Sequence, residues 1–428
     1  MIRAEPVVSR LPLTQRARAA LAITLGHGIR ALIRATGRGS GTAYPGLVAS
    51  RVAPRLLTSA LLGLRGGLVV VSGTSGKSTT TKLLVKILRA HGLSVFTNAS
   101  TANIRQGLLS DMLSDLRLSG RMRCDIAVLE MDEAHGAKIV AEVAPSTVLL
   151  TNVGTDQIDR FNDPALVAEM LGITARAARH SVVSNGDDEL LERQLESLGD
   201  VDIHRFGVSR EVLAAVPHGL GNASMAAERL TTGTIVSWID GDRSTIEHGG
   251  QTLEVNLPAR GAHYAVDVAA AIAAAAAVLK EDFDSELACA AISTPDPVFG
   301  RNQIVRIRGK QVEMVLVQNP ASFQLNLDYL PAGLDQVMVA VGSDVRDFSY
   351  LWPVDTTPLT RVAVASGSQA EELALQLIYH DVVVGRVDSD LGRALDEFLA
   401  LPEPTSGHKT IIFTADAMRK TRRHFGLV

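Results

Sequence analysis

The stretch that decides the fold is residues 72–80, which are Ser-Gly-Thr-Ser-Gly-Lys-Ser-Thr-Thr. It follows the apolar run at residues 68–71 and precedes a helix-like segment. Its glycines let the backbone turn closely around phosphate oxygens, and the N-terminus of a helix offers N–H groups to the same oxygens. Lys77 adds a positive charge, and the hydroxyl of Ser78 can hold Mg²⁺. The stretch therefore predicts a phosphate-binding loop between a buried strand and a helix.

One position departs from the usual phosphate-binding loop, because Val71 stands where that loop has a glycine six residues before its lysine. The shortened run Gly-Thr-Ser-Gly-Lys-Ser-Thr resembles the loop of the Mur ligases and the folylpolyglutamate synthases. This resemblance implies an ATP-dependent ligase that activates a carboxylate as an acyl phosphate, which an amine then attacks. It also implies ATP and Mg²⁺ as cofactors and a catalytic role for Lys77. The implied nucleotide contacts are Gly73, Thr74, Ser75, Gly76, Lys77, Ser78 and Thr79.

The rest of the chain predicts two α/β domains. Apolar runs alternate with helix-like segments from residue 67 to residue 153, which is typical of a doubly wound, mostly parallel sheet. Strand-like runs at 235–239 and 252–257 predict a small antiparallel sheet added to it. After a Pro- and Gly-containing stretch at 295–301 the alternation resumes, which predicts a Rossmann-like domain. We expect basic N-terminal helices at 1–45, a Mur-ligase central ATP-binding domain at 46–298 and a C-terminal domain at 299–428.

Charge and composition argue against several classes of function. The formal net charge of −4 over 428 residues gives no general basis for binding nucleic acid. The two cysteines, Cys124 and Cys289, have no zinc or disulfide spacing, so we expect no zinc. The sequence shows neither an uninterrupted apolar run of membrane-spanning length nor the pattern of a signal peptide. We therefore expect a cytoplasmic protein without a transmembrane segment.

The N-terminus is strongly basic, with nine arginines and a single acidic residue, Glu5, among the first 56 residues. Residues 11–35 are apolar enough, with arginines interspersed, to form one or two amphipathic helices. Two interpretations stay open. A basic face could rest on anionic lipid at the inner membrane, or the helix could pack on its own domain with its arginines in solvent.

Two further motifs follow predicted strands, where open α/β sheets place functional groups. Residues 129–133 are Leu-Glu-Met-Asp-Glu, and Glu130 matches the family glutamate that binds Mg²⁺. The resemblance implies that Glu130 is catalytic and shares a metal site with Ser78, whereas a solvated strand end is the alternative. Residues 151–160 are Thr-Asn-Val-Gly-Thr-Asp-Gln-Ile-Asp-Arg. The resemblance of this run to the family implies that Asn152 is a nucleotide contact, and it makes Asp156 and Asp159 candidates for nucleotide, metal or ammonia-site contacts.

Several segments are similar to one branch of the family, the MurT subunits of lipid II isoglutaminyl synthase. They are residues 151–160, 299–301, 318–323 and 364–370, and they imply nucleotide contacts from Arg301 and Asn319. Residues 346–352, Arg-Asp-Phe-Ser-Tyr-Leu-Trp, resemble the run whose aspartate completes a Cys-His-Asp triad with a GatD-type class I glutaminase. That resemblance implies a catalytic role for Asp347. A carboxylate that caps a turn or helix is the alternative.

The resemblance implies the ligase subunit of a heterodimeric glutamine amidotransferase. Such a subunit amidates the α-carboxylate of D-glutamate in lipid II with ammonia from its glutaminase partner. The sequence also departs from that branch, since it lacks the zinc-ribbon cysteines and has Asp267 and Gln318 where Asn and Lys are expected. Two alternatives stay open. One is a stand-alone Mur-like ligase that adds an amino acid to a peptide or polyglutamate, and the other is a non-catalytic scaffold that regulates an amidotransferase.

Overall fold

The computed structural model describes residues 12–36, 43–98, 104–154, 163–220, 230–294, 301–317, 319–331 and 333–427. Two of the candidates from the sequence, Asp156 and Asp159, lie outside these ranges. Two sheets organise the described part of the chain, one of nine strands and one of six. Helices alternate with the strands of both sheets, so the predicted α/β class is confirmed.

The larger sheet combines a parallel part with an antiparallel meander. Its strands are β1 (Leu68–Ser72), β2 (Val95–Thr97), β3 (Ile126–Glu130), β4 (Thr147–Leu150), β5 (Ser181–Asn185), β6 (Asp202–Val208), β7 (Thr234–Asp240), β8 (Arg243–His248) and β9 (Gln251–Asn256). Their order is β2-β3-β1-β4-β5-β6-β7-β8-β9. Neighbours are parallel from β2 to β7 and antiparallel from β7 to β9. The predicted antiparallel strands therefore extend the parallel sheet, because β7 pairs with β6 along one edge and with β8 along the other.

Helices cover both faces of this sheet. They are α1 (Leu13–Thr36), α2 (Tyr44–Val52), α3 (Leu56–Leu62), α4 (Lys77–Ala90), α5 (Arg105–Met112), α6 (Glu133–Val140), α7 (Pro164–Arg176), α8 (Glu189–Leu195), α9 (Arg210–Ala214), α10 (Ala262–Leu279) and α11 (Ser285–Ser293). Val69 and Val71 of β1 belong to a core shared with α4 and α10, whereas Leu68 and Val70 belong to a core shared with α1, α2 and α3. This two-sided burial explains why the strand is apolar without alternation.

The alanine-rich helix α10 is the centre of the larger domain. All of its residues from Val268 to Ala275 are buried. In the described part of the chain one segment, Ala262–Asp282, is long and apolar enough to cross a membrane, and 78% of its most apolar window is buried inside the protein. That burial is typical of a core helix, because small alanine side chains allow the neighbouring strands and helices to approach closely.

The six-stranded sheet builds the C-terminal part. Its elements are β10 (Arg301–Ile307), β11 (Lys310–Leu316), α12 (Pro320–Asp328), β12 (Val337–Val341), β13 (Arg361–Gly367), α13 (Ala370–Tyr379), β14 (Val383–Asp388), α14 (Leu391–Ala400), β15 (Lys409–Phe413) and α15 (Ala415–Phe425). The strand order is β10-β11-β15-β12-β13-β14. All pairs are parallel except β10 with β11, which form an antiparallel hairpin. The parallel part is the predicted Rossmann-like unit, and β10 is an additional strand.

Candidate active site

The loop between β1 and α4 depends on two glycines with positive φ. The φ angle is +135° at Gly73 and +82° at Gly76. A Cβ atom on Gly73 would lie 2.2 Å from Oγ1 of Thr151, so no larger residue fits there. Gly76 is the N-cap of α4, and no side chain caps this helix end. The N–H groups of the first turn of α4 therefore point to where an anion can accept hydrogen bonds.

Two residues at the carboxyl end of β4 hold the loop in place. The backbone N–H of Ser75 donates to Oδ1 of Asn152 at 2.9 Å, and Nδ2 of Asn152 donates to the Ser75 carbonyl at 3.2 Å. The Thr151 hydroxyl donates to the same carbonyl at 2.7 Å. Asn152, which the sequence predicts as a nucleotide contact, is thus bonded to the loop itself and fixes the position of Ser75.

Ser78 and Glu130 form the part of the site that suits a divalent cation. The Ser78 hydroxyl donates to Oε1 of Glu130 at 2.7 Å, and Glu130 is 7% exposed at the end of β3. Adjacent ligands of an octahedral Mg²⁺ with ligand distances of about 2.1 Å would lie roughly 3.0 Å apart, so these two oxygens are near enough to share one cation. Within the described ranges, no group of three or more His, Cys, Asp or Glu could hold a metal ion. The two oxygens therefore fit Mg²⁺ that takes its other ligands from nucleotide and water.

The backbone of Glu130 is fixed by Asn98, a residue that follows β2. The N–H of Glu130 donates to Oδ1 of Asn98, and Nδ2 of Asn98 donates to the Glu130 carbonyl, both at 2.9 Å. Asn98 is 7% exposed. These paired bonds mimic one step of a strand ladder, and they hold the Glu130 side chain towards the first turn of α4.

The ammonium group of Lys77 lies over the loop. Its Nζ donates to the carbonyl of Gly73 and, at 2.9 Å, to the carbonyl of Thr74. Oε1 of Glu133, in the first turn of α6, is 3.8 Å from the same nitrogen. The cation is thus held within the loop by two carbonyls and one nearby acid, where it can meet phosphate oxygens bound by the same loop.

The C-terminal part reaches this loop through Asn319. Oδ1 of Asn319 accepts from the backbone N–H of Ser322 at 2.7 Å, which caps α12, and its Nδ2 donates to the Ser75 hydroxyl at 2.9 Å. One side chain therefore begins a helix of the smaller sheet and contacts the phosphate-binding loop of the larger one. Arg301, the other predicted contact from this part, begins β10, and its side chain lies outside the described atoms.

Asp347 lies in an exposed turn of the C-terminal part, and the structure does not bring it into the loop cluster. Its side chain caps the short 3₁₀ helix Phe348–Leu351 and accepts from the hydroxyl of Ser349 at 2.7 Å and from its backbone N–H at 3.0 Å. The Ser349 hydroxyl, then the Ser349 N–H, lower the pKa of Asp347 below its usual range. The carboxylate is therefore ionised at neutral pH, and it lies close in sequence to Trp352, which is 66% exposed.

The sequence analysis assigns no role to three residues of the cluster, namely Asn98, Glu133 and Thr151. Thr151 and Glu133 stand within quoted motifs, so their position after a strand was available as a signal. Asn98 follows a strand of only three residues, and its pairing with Glu130 depends on β2 lying beside β3. No residue-type pattern in the sequence predicts that neighbourhood.

Comparison with known proteins agrees with this geometry. Residues 71–275 match the Mur ligase middle domain, and residues 316–418 match the MurT ligase C-terminal domain. Together the two matched ranges cover most of the chain, and the first contains the loop, Glu130 and Asn152. The chain belongs to the Mur ligase family.

Within that family the predicted resemblance to MurT subunits is confirmed. The chain is 28% identical over 385 residues to the MurT subunit of lipid II isoglutaminyl synthase (glutamine-hydrolyzing) of Streptococcus pneumoniae, which covers 79% of this chain and 82% of that protein. Its fold is similar to MurF of Acinetobacter baumannii, with a TM-score of 0.67, 16% identity and coverage of 90% and 80%. MurF of Thermotoga maritima, solved in complex with ADP, has a TM-score of 0.60, 17% identity and coverage of 89% and 83%.

Proposed function

We propose that this chain is the ATP-dependent ligase subunit of a glutamine amidotransferase that amidates the α-carboxylate of D-glutamate in lipid II. The observation that carries the proposal is the MurT-type C-terminal match at residues 316–418, which accompanies a complete Mur-ligase loop. The S. pneumoniae relative, whose name describes this activity, aligns over most of both chains. We place the reaction on the cytoplasmic side of the membrane, where ATP is available.

In this proposal the residues of the larger domain bind and orient the reactants. The N–H groups of the first turn of α4 and the ammonium of Lys77 hold the β- and γ-phosphates, and Ser78 and Glu130 hold Mg²⁺. When bound, ATP–Mg²⁺ would supply the γ-phosphoryl group that converts a carboxylate into an acyl phosphate, with ADP as the leaving group. Attack of ammonia on the carbonyl carbon would then form the amide, expel inorganic phosphate and release a proton. Positioning and charge neutralisation by these side chains account for most of the catalysis.

Asp347 supports the second half of the proposal, which is a glutaminase partner of the GatD type. Its carboxylate is exposed, oriented by Ser349 and ionised at neutral pH. A carboxylate in this state can orient and stabilise the histidine of a Cys-His pair that belongs to another subunit. The thiols of this chain are poor nucleophiles by comparison, because burial raises the pKa of Cys124 to about 11 and also raises the pKa of Cys289.

The test reconstitutes the purified chain with and without a candidate glutaminase and follows amidation of lipid II with ATP and either glutamine or ammonium. We expect glutamine to serve only when the glutaminase is present. Lys77→Ala should lower amidation with both nitrogen sources by on the order of a hundredfold or more, because phosphate charge is no longer neutralised. Lys82→Ala, on the exposed side of the same helix, is the matched control. Amidation of lipid II that proceeds without ATP would contradict the proposal.

Replacement of Asp347 separates the two halves of the reaction. We expect Asp347→Asn to lower glutamine-dependent amidation by about 10³–10⁴-fold, the scale of loss when the acid of such a triad is replaced. Amidation with added ammonium should stay within about twofold, because the residues around Lys77 and Glu130 are unchanged. Asp381→Asn removes an exposed acid from the same domain and serves as the control. Unchanged glutamine use by Asp347→Asn would remove the shared triad from the proposal.

ATP-dependent addition of an amino acid by the wild-type chain, with no use of glutamine or ammonium, would favour the stand-alone ligase.

A further inference from the structure

Helix α1 packs on the larger domain by one face only. Its buried residues include Ala19, Ala22 and Ile23, which belong to the same core as α2, α3 and α5. Gly26 is part of this contact, since a Cβ there would lie 2.5 Å from Cδ1 of Leu113. Arg30 fixes the C-terminal half through a hydrogen bond to the Ser110 carbonyl of α5. The helix is therefore seated on its domain with a defined orientation.

The helix packs on its own domain with Arg16, Arg18 and Arg34 exposed, and the centre of its outward face is apolar. Leu21, Leu25 and Leu32 are 54%, 40% and 64% exposed. At 100° per residue these three side chains lie within about 40° of one another on the helix. The exposed residues Ala17, Thr24, Gly28, Ala31 and Ala35 fall on the same side and carry no charge. Over 24 residues this face is about 36 Å long.

Arginines border the apolar face on both sides. Arg18 lies on one border and Arg16 and Arg34 on the other, and all three are exposed. The excess of positive charge extends well beyond the helix. No Asp or Glu occurs between Glu5 and Asp111, whereas that stretch contains fourteen Lys and Arg. A surface with leucines at its centre, cations at its borders and no acids is complementary to a layer with apolar chains beneath negative headgroups.

We propose that the outward face of α1, defined by Leu21, Leu25 and Leu32 with Arg16, Arg18 and Arg34 at its borders, docks the protein on an anionic lipid surface. The leucines enter the boundary between headgroups and acyl chains, and the arginines remain at the level of the phosphates. The proposal extends the proposed function, since a lipid-linked substrate would be met at the same surface, but the docking itself needs neither nucleotide nor glutaminase.

A second exposed apolar patch, on α13, differs from the outward face of α1 in the charge around it. Leu375, Ile378 and Tyr379 of α13 are 56%, 59% and 78% exposed. That helix begins with Glu371 and Glu372, and its last turn contains no basic residue. Anionic headgroups would repel these acids, so α13 exposes apolar side chains as α1 does but lacks the positive charge that an anionic lipid surface requires.

The experiment is co-sedimentation of the full chain with vesicles, in the absence of nucleotide. One set of vesicles is phosphatidylcholine, and the other is equal parts of phosphatidylcholine and phosphatidylglycerol. We expect binding to the mixed vesicles and little to the zwitterionic ones. Binding should weaken as salt is raised, because the Debye length falls from about 10 Å at 0.1 M to about 3 Å at 1 M.

Two variants assign the binding to α1. Leu21→Gln/Leu25→Gln/Leu32→Gln should weaken partitioning into mixed vesicles by about tenfold or more, and Arg16→Gln/Arg18→Gln/Arg34→Gln should remove the preference for phosphatidylglycerol. Leu375→Gln/Ile378→Gln, which removes exposed apolar side chains from α13, should bind as the wild type does. All of these side chains are exposed, so thermal melting of each variant should match the wild type.

Several outcomes would overturn the proposal. One is a wild-type chain that does not sediment with the mixed vesicles, and another is equal binding to both kinds of vesicle. A third is a leucine variant that binds as well as the wild type. A wild-type dimer that becomes monomeric in the leucine variant, as measured by light scattering, together with no vesicle binding, would assign the face to a second copy of the chain. Because none of these measurements requires catalysis, their failure would leave the ligase proposal untouched.

Discussion

Two glycines at opposite ends of α4 have the same backbone angle in different surroundings. The φ angle is +82° at Gly76 and at Gly92. A Cβ on Gly76 would lie 2.2 Å from Oδ1 of Asp267, which is buried and accepts a hydrogen bond from Thr80 at 3.2 Å. A Cβ on Gly92 would have no atom within 4 Å. The two positions therefore separate the cost of a left-handed backbone from the cost of crowding.

We expect Gly92→Ala to lower the free energy of unfolding by about 1 kcal/mol, the cost of a left-handed alanine, and to leave nucleotide binding unchanged. Gly76→Ala should bear the same cost and also displace Asp267 or the first turn of α4. Its nucleotide affinity should therefore fall by about tenfold or more. Denaturant unfolding and calorimetric titration with ATP measure the two effects. Equal ATP affinity of the two variants would contradict the steric argument.

At the residue scale, the sequence predicts those candidate site residues that follow strands. Lys77, Ser78, Glu130 and Asn152 come from three different segments, and the structure brings them together because β1, β3 and β4 are parallel neighbours that end at one edge. Asn98 could not be identified in this way. Its role depends on which strand lies beside β3, and that choice is made by packing of the whole sheet.

At the element scale, β14 is one of the two edge strands of the smaller sheet. It ends at Asp388, whose side chain is 3% exposed and accepts from Nε and Nη2 of Arg393, both at 2.7 Å. Arg386 donates to the same carboxylate at 3.1 Å. The hydrogen bonds from Arg393, then the N–H of Asp390, hold the pKa of Asp388 far below its usual range. This carboxylate ties the edge strand to α14.

The lowered pKa of Asp388 gives a stability effect with a definite sign. The folded state favours the ionised form, so the stabilisation is complete above the unfolded pKa of about 3.9 and is lost as pH falls towards the folded value. Asp388→Asn should therefore melt a few degrees below the wild type at pH 7, and the difference should shrink below about pH 4. Asp381→Asn, an exposed acid just before β14, is the control. A difference in melting temperature that is independent of pH would contradict this account.

The hairpin of β10 and β11 is an element that the sequence does not predict. Its turn consists of Arg308 and Gly309, both with positive φ, 49° and 85°. Two consecutive positive φ angles define the tight hairpin turn that usually contains Asn-Gly or Asp-Gly. Arginine is uncommon in that position, so the turn has no recognisable sequence signature. The Rossmann-like alternation predicted after residues 295–301 therefore does not include β10, which pairs antiparallel with β11.

At the scale of the whole molecule, a histidine of the larger domain joins two acids of the C-terminal part. Nδ1 of His218 is 2.8 Å from Oδ1 of Asp328, and Nε2 is 3.3 Å from Oδ2 of Asp355. The Asp328 side chain is 1% exposed, and Gln324 donates to the same Oδ1 at 3.0 Å. Asp328 ends the helix that Asn319 begins, so α12 contacts the larger domain at both of its ends.

Removal of His218 should loosen the contact between the two parts. We expect His218→Ala to lower the free energy of unfolding by about 1–2 kcal/mol, because the buried carboxylate of Asp328 loses a partner. Small-angle scattering should show a larger radius of gyration. In the double variant His218→Ala/Asp328→Asn the decrease in the free energy of unfolding should be smaller than the sum of the two single decreases. The reason is that no buried carboxylate is left without a partner at position 328. His180→Ala, an exposed histidine of the same domain, is the control. Strictly additive losses would show that the pair does not interact.

The bond between Asn319 and Ser75 makes the nucleotide loop a part of the contact between the two sheets. Whatever changes the free energy of that contact must therefore change the affinity for nucleotide, and the nucleotide must change the contact by the same factor. A protein that binds the C-terminal part and changes this contact would therefore change the affinity for nucleotide without contacting the loop. If the proposed glutaminase binds there, its binding and that of ATP would be thermodynamically linked through contacts that include the side-chain amide of Asn319.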